Sequence, residues 1–400
     1  MRYIKPHYYD DFRCVADQCP DTCCAGWQIV IDDESLEQYS NVRGPFGNRL
    51  YRSIDWEEGT FKQNAKRCSF LNDKNLCDLY SELGENALCR TCSMYPRHVE
   101  EFEGLRELSL SLSCPIAAEM ILMCKEPLRL IEEETDEEEE LADEFEDFDL
   151  LLFSQLEEAR SIIFRILNDR ATLIEERIQR VLSMAEQIQD CVEQERYCDV
   201  DDVIESFRRG EYYAREKSVW EGQREQNAAW GDVIYKQKMT DSNAGSRYTQ
   251  MCREYAVLNR LERLREEWSW VLTDAWSVLY AQGEAAYMDI CKRFDEEIGC
   301  KSPNAEKWSI FTENLMQFFV LTYFCGAVYD DWIYAKAALA AFCTRWIQEL
   351  IMAKWADEEL ETKDCIQIAY RFAREIEHSD ENLDSLEAYL QSDFSKRRFD

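Results

Sequence analysis

Histidine is nearly absent: His7, His98 and His378 are the only three in 400 residues. That leaves little room for a histidine-built metal site. His98 is a minor ligand candidate, with a surface or hydrogen-bonding role the stronger expectation. Glycine is sparse at 13 residues, and none forms a G-x-G or phosphate-cradling loop, so a dinucleotide-type fold is unsupported. Positive charge is outnumbered, with 46 Lys and Arg against 81 Asp and Glu and a formal net charge of -35. Phosphate binding needs basic patches, so nucleic acid is not an expected partner. The acidity suits either plain solubility or a lysine-rich partner whose approach it would speed. Long apolar runs are missing too. The longest, FFVLTYFCGAVY at 318–329, falls well short of the roughly 18 residues that span a bilayer. The opening MRYIKPHYYDDFR has no apolar core of a secretory signal. The expectation is no membrane partner and a cytoplasmic location, where thiols stay reduced.

Cysteine is abundant. Ten of the 18 lie in the first 124 residues: Cys14, Cys19, Cys23, Cys24, Cys68, Cys77, Cys89, Cys92, Cys114 and Cys124. Disulfides, zinc or an iron–sulfur cluster could account for that density. In a reducing compartment, clustered cysteines read as metal ligands before disulfides. Zinc ribbons and fingers usually show two C-x2-4-C knuckles separated by a loop. Here the spacing is C-x4-C-x3-C-C, then C-x8-C, then C-x2-C, then a lone cysteine. Adjacent Cys23 and Cys24 are awkward for one tetrahedral zinc, because neighbouring side chains diverge. They are easier to place if one packs, or if each serves a different iron, so thiolate chemistry favours a cluster and leaves zinc open. The radical-generating C-x3-C-x2-C is absent, since Cys24 comes two positions too early.

The composition, 46% hydrophobic with 11 Trp and 20 Tyr, is that of a folded chain. Residues 1–131 hold the dense cysteines and most of the seven prolines. They read as an irregular metal-binding domain with little core of its own, which a bound metal would stabilise. Within it, WQIVID (27–32) and ELSLSLSC (107–114) alternate like strands. SLEQYSN (35–41) and PIAAEMILMCK (115–125) read as helices, with Pro115 at a first-turn position. Residues 132–149 carry 13 acidic and no basic side chains and read as a solvated linker and domain boundary. Residues 150–400 read as an all-helical domain. Leu152, Leu156, Ala159, Ile163 and Ile166, then Ile174, Ile178, Val181, Ala185 and Ile188, keep three-and-four spacing, with a break at Asn168-Asp169. Gly210, Gly222, Gly231 and TDSNAGS (240–246) mark turns. Further helical patterns cover 247–282, 305–328, 330–356 and 358–377. The fold class is therefore mainly α. Trp268, Trp276, Trp332 and Trp346 are expected to fill the helical core, with an aromatic cage for a cationic group as the sharper alternative.

FRCVADQCPDTCCAGWQIVID (12–32), CSFLNDKNLCDLYSELGENALCRTCSMYPR (68–97) and ELSLSLSCP (107–115) together resemble the flagellin lysine-N-methylase family, the FliB type. The first two blocks also resemble a wider group of cysteine-rich domains regarded as zinc- or iron-chelating. The resemblance is specific over about residues 8–124. It implies methyl transfer from S-adenosylmethionine to lysine ε-amino groups of flagellin, with a [4Fe-4S] cluster in the enzyme. Carried onto matching positions, the recurring cysteines are Cys14, Cys19, Cys23, Cys24, Cys68, Cys77, Cys92 and Cys114. Cys89 and Cys124 fall outside the pattern. Eight positions exceed the four that one cluster needs. From the wider group, the alternative is a non-enzymatic module that binds iron or zinc and docks a partner through its helices.

Under the methylase reading, lysine must lose its proton first. Its reference pKa is about 10.4, so the site has to desolvate it or supply a carboxylate base. No single carboxylate stands out from the sequence. The donor's carboxylate needs a cation or a helix N-terminus. Arg97 in the YPR motif is the candidate for that contact, against a purely structural bond to its loop.

Overall fold

The computed structural model describes residues 1–136, 145, 148–210 and 246–399. Most of the acidic run, and the turns expected at Gly222, Gly231 and 240–245, lie outside those residues. The fold is mainly α. Among the described residues, strands occur only before residue 135.

The chain opens with strand β1 (Arg2–Pro6). Two 3-10 turns follow, Tyr9–Asp11 and Ala16–Gln18. Helix α1 (Asp33–Asn41) begins where the Asp32 carboxylate accepts the Ser35 N–H at 3.0 Å. Helix α2 (Gly44–Ser53) carries Pro45 in its first turn. Two tiny hairpins come next, β2 (Ile54–Asp55) with β3 (Thr60–Phe61), and β4 (Gln63–Asn64) with β5 (Arg67–Cys68). Short helices α3 (Asp78–Leu83) and α4 (Arg90–Met94) lead to the hairpin β6 (Arg97–Phe102) and β7 (Leu105–Leu110). Gly104, at φ +71, makes the left-handed turn between them. Helix α5 (Pro115–Leu122) carries Pro115 in its first turn, as its spacing suggests.

WQIVID does not form a strand. Val30 makes one isolated bridge, to Thr60, and is 56% exposed, while Ile29 and Ile31 are buried. Across that bridge the Ile31 N–H donates to the Gly59 carbonyl at 2.7 Å and the Phe61 N–H to the Ile29 carbonyl at 3.1 Å, and the pairing goes no further. ELSLSLSC is a strand only as far as Leu110. The sheet has the order β6-β7-β1-β8, where β8 is Leu130–Glu134. β1 runs parallel to β7 and antiparallel to β8. The first glutamates of the acidic run thus lie in an edge strand. Lys5 holds it, with Nζ 3.0 Å from Glu133 and 2.9 Å from Asp10. A charged edge resists pairing with other chains.

The helical part starts at α6 (Leu150–Leu167), capped by Asp149 on the Leu152 N–H at 2.9 Å. Next come α7 (Ile174–Glu193) and α8 (Tyr197–Arg209), the latter closed by Gly210 in the left-handed region. Then follow α9 (Arg247–Leu258), α10 (Glu266–Ala275), which runs into a π turn at Trp276–Tyr280, and α11 (Glu284–Glu297). The last four are α12 (Ala305–Tyr323), α13 (Ile333–Asp357), α14 (Thr362–Glu377) and α15 (Asp380–Phe399). α13 is alanine-rich and buried on every side over most of its length, packing on α7, α12, α14 and α15.

The main hydrophobic core draws on both sides of the acidic run: Ile4, Phe12, Leu105 and Leu112 join the helices. A smaller second core under the cysteine-rich segment contains Ile29, Tyr39, Leu50, Phe61 and Phe70. Buried ion pairs cross the main core. Arg160 pairs with Glu107, and Glu313 takes Arg177 at 2.7 Å and Arg170 at 2.8 Å.

Candidate active site

The candidate site is a cavity of about 540 Å³ where β6, the end of β7, α4 and the Trp27 loop meet α12, α13, α14 and α15. Its wall is partly aromatic. Trp27 stacks on His378 with ring centres 4.7 Å apart, and Tyr95 lies 5.9 Å from Trp27 and 6.0 Å from His378. Tyr323 and Tyr329 line it as well. The rest of the wall is rich in carboxylates: Glu100, Asp330, Glu377, Asp380 and Glu387.

Most of these charges are matched. Lys336 Nζ sits 2.5 Å from Glu387 and 2.9 Å from Asp330. Glu100 pairs with His98 at 3.1 Å, and that hydrogen bond raises the His98 pKa. Glu377 differs. Its Oε1 is shielded from solvent and has no hydrogen-bond partner. Burial pushes its carboxyl up to about 7, against the opposing pull of Ser111, His98 and the Leu112 and Ser113 N–H groups. His378 goes the other way. Burial, reinforced by Arg374 and Arg265, pushes its pKa down to about 3, so the imidazole stays neutral.

Ser113 is a hub behind this wall. Its hydroxyl lies 3.0 Å from the Tyr95 hydroxyl and 2.9 Å from His378 Nε2, and it also bonds Ser111. Its carbonyl accepts from Arg374 Nε at 2.8 Å. Arg374 also grips Asp21, in the loop between Cys19 and Cys23, and Arg265 pairs with Asp21 at 3.1 Å.

Cys19, Cys68, Cys77 and Cys114 lie near Cys23, behind the same wall. The Trp27 indole donates to the Cys23 carbonyl at 2.8 Å. Cys114 lies close enough to Cys19 and Cys23 to raise its own pKa, although burial is the larger cause. Cys92 is held up mainly by its hydrogen bond to Cys89, with Cys24 and Cys68 adding. Cys23 and Cys24 sulfurs are 3.9 Å apart. Cys68 ends β5, Cys77 precedes α3, and Cys14 is exposed before the second 3-10 turn. All 18 thiols are free. Among the described residues, no three Cys, His, Asp or Glu side chains converge as ligands of one metal ion. The donor chemistry suits iron or zinc, whereas this placement of the sulfurs does not complete a ligand set.

Arg97 lines the cavity, but its guanidinium rests 5.3 Å above the Phe12 ring and donates to the Phe12 carbonyl at 3.5 Å. Trp268 and Trp346 are buried in the helical core, and Trp276 and Trp332 pack against it. The rings that face the cavity are therefore not the four tryptophans singled out by sequence. Trp27 and Tyr95 sit inside the quoted cysteine motifs, which was the only available signal for them. Nothing in the sequence marked Glu377 or Tyr323.

Residues 160–397 match the family of the FliB lysine N-methylase C-terminal domain. A flagellar biosynthetic protein FliU of Salmonella muenchen is 28% identical over 127 residues, which is 30% of this chain and 75% of that protein. The lysine-N-methylases of Salmonella typhimurium and Salmonella choleraesuis are each 28% identical over 137 residues, 32% of this chain. The matched part is 34% of the length of each lysine-N-methylase. No solved structure matches. Among the described residues, no helix is long and apolar enough to cross a membrane.

Proposed function

Because the chain belongs to the FliB lysine N-methylase family, we propose that it is a protein-lysine methyltransferase. It transfers the methyl of S-adenosylmethionine to lysine ε-amino groups of flagellin, in the cavity between the cysteine-rich segment and the last four helices. The supporting observation is the character of that cavity: an aromatic wall at Trp27 and Tyr95 facing several carboxylates. Both reactants are cations, one an ammonium and the other a sulfonium. Aromatic faces and carboxylates are the groups that hold such cations. The acidic surface, with its net charge of -35, would draw in a lysine-bearing protein.

The residues divide the work by position. Trp27 and Tyr95 offer ring faces to the sulfonium. Glu100 and Asp380, toward the carboxylate side of the cavity, attract the ammonium. Arg97 is the cation within reach of the donor's carboxylate, once it is drawn off Phe12. Closing flagellin over the opening would exclude water and favour the neutral amine.

The proposal includes a [4Fe-4S] cluster on thiols drawn from Cys14, Cys19, Cys23, Cys24, Cys68, Cys77, Cys92 and Cys114. Soft thiolates suit it, and such a group would supply a Lewis-acidic iron or a structural staple at the back of the Trp27 wall. Among the described residues the sulfurs do not converge on a single centre.

The test is methylation of purified flagellin with labelled donor by anaerobically prepared protein, alongside iron and labile-sulfide analysis. Label on lysine side chains supports the reading. A metal-replete sample that leaves flagellin unlabelled rejects it. A sample that methylates without iron rejects the cluster alone.

A further inference from the structure

We propose that Glu377 is the catalytic base that takes the proton from the substrate amine in this cavity. The assignment rests on the methyltransferase reading above and adds to it the identity of the proton acceptor.

Geometry singles this carboxylate out. Glu377 is the last residue of α14, and it lines the cavity. The other carboxylates of the lining are spoken for or solvated. Glu387 and Asp330 hold Lys336, Glu100 holds His98, and Asp380 is exposed. Among the described residues no lysine or arginine pairs with Glu377, and its Oε1 is both shielded and unpartnered. A buried acceptor without a donor is costly, and an incoming N–H satisfies it. The terminal carboxyl torsion is soft, so a small rotation turns that oxygen toward a bound amine.

The surroundings suit the task. His98 faces it from β6, Tyr323 from α12 and Cys343 from α13, and Glu100 and Glu387 line the same cavity. Ser111 and the Leu112 and Ser113 N–H groups approach from the end of β7, and Arg374 lies one turn back on α14. With burial outweighing these donors, the carboxyl titrates near 7, where a base is effective at neutral pH. The adjacent His378, depressed to about 3, is too weak a base to compete.

The chemistry balances without any further reactant. The lysine ammonium gives one proton to the Glu377 carboxylate. The freed nitrogen lone pair then forms the N–C bond to the donor's methyl carbon. The C–S bond breaks as its electron pair moves to sulfur, turning the sulfonium into a neutral thioether. The new charge rests on the methylated ammonium.

The experiment compares wild type, Glu377→Gln and Glu377→Asp in flagellin methylation between about pH 6 and pH 9. Donor binding is measured separately by calorimetry. The expected wild-type profile has an acidic limb near pH 7. Glu377→Gln loses that limb and about 10²–10⁴-fold in kcat, the usual range for a general base. Its donor affinity stays within about twofold of wild type, because the base touches the amine and not the donor. Glu377→Asp keeps the limb at reduced kcat and carries the test should the glutamine variant fail to fold. A glutamine or aspartate variant with the wild-type rate, or a glutamine variant that keeps the acidic limb, overturns the assignment and leaves the methyltransferase reading intact. A metal-replete wild type that methylates no lysine overturns both.

Discussion

The Ser113 hydroxyl lies 2.9 Å from Nε2 of His378, 265 positions further along the chain. The contact closes a loop of bonds. Ser113 also meets Tyr95 and receives Arg374, and Arg374 reaches Asp21 among the first cysteines. The cysteine loop, the end of β7 and the end of α14 are therefore one hydrogen-bonded unit, and the Trp27 wall of the cavity is built on it.

Asp21→Asn tests that unit. Asp21 is the anion for both Arg374 and Arg265, and Arg374 is 3% exposed at its side chain. Removing the charge strands a buried cation, at a cost of about 3 kcal/mol. Urea unfolding followed by circular dichroism should show a lower midpoint with an unchanged slope. A midpoint equal to wild type would mean that the pair does not tether the loop.

Glu107→Gln probes the bond between sheet and helices. Glu107 on β7 and Arg160 on α6 are both buried, at 6% and 2% exposure. With glutamine the guanidinium keeps a hydrogen-bond acceptor but loses its counter-charge, and about 3–4 kcal/mol of stability should go. Replacing both residues by apolar ones of similar volume should recover much of it. Thermal unfolding of the three proteins, run together, decides this; a double variant as unstable as the single one would contradict it.

Helices α6 and α7 were legible because their burial repeats every three to four residues, whereas the single helix expected over 247–282 is broken at 259–265 and α13 is buried on every side. Ile174, Ile178, Val181, Ala185 and Ile188 all turn out buried on α7. Pro115 and Gly210 were legible as well, the one in the first turn of α5 and the other at the turn that closes α8. The sheet was not. β1 and β8 are far apart in sequence, and β8 is LIEEE, whose glutamates carry no strand signal until Lys5 is beside them. WQIVID misled because alternation reports burial more than pairing: Ile29 and Ile31 are buried, but pairing stops at the single bridge around Val30. In the site, cysteine spacing pointed to the region but not to Glu377. One glutamate among 81 acidic residues becomes special only when several elements close over it.

Thiol labelling reads metal occupancy residue by residue. Cys14, Cys23 and Cys198 are exposed, whereas Cys191, Cys325 and Cys343 are buried. In a chelated sample Cys14 and Cys198 should react readily with a small maleimide, Cys23 more slowly because its hydrogen bond with Cys24 and its burial push its thiol pKa well up, and the buried three only on unfolding. In an iron-replete sample, Cys14 and Cys23 should become protected while Cys198 on α8 reacts as before. Equal labelling of Cys14 and Cys23 with and without iron would remove them from the ligand set.

Glu375 sets a pH dependence of stability with a definite sign. It is 3% exposed on α14, and its Oε2 accepts the Leu264 N–H at 2.9 Å. Burial raises its carboxyl from 4.5 to about 7, with the Leu264 and Arg265 N–H groups opposing. The folded state therefore holds a proton that the unfolded state has already released. Stability from this residue is complete below about pH 4.5 and falls as pH rises toward 7. Glu375→Gln keeps an acceptor for Leu264 and carries no charge to desolvate. The variant should be about 2–3 kcal/mol more stable than wild type at pH 8, with the gap closing toward pH 4.5. Chemical denaturation at pH 5, 6.5 and 8 measures it. A gap that stays constant across the three, or widens toward acid, would show that this carboxyl does not change its ionisation on folding.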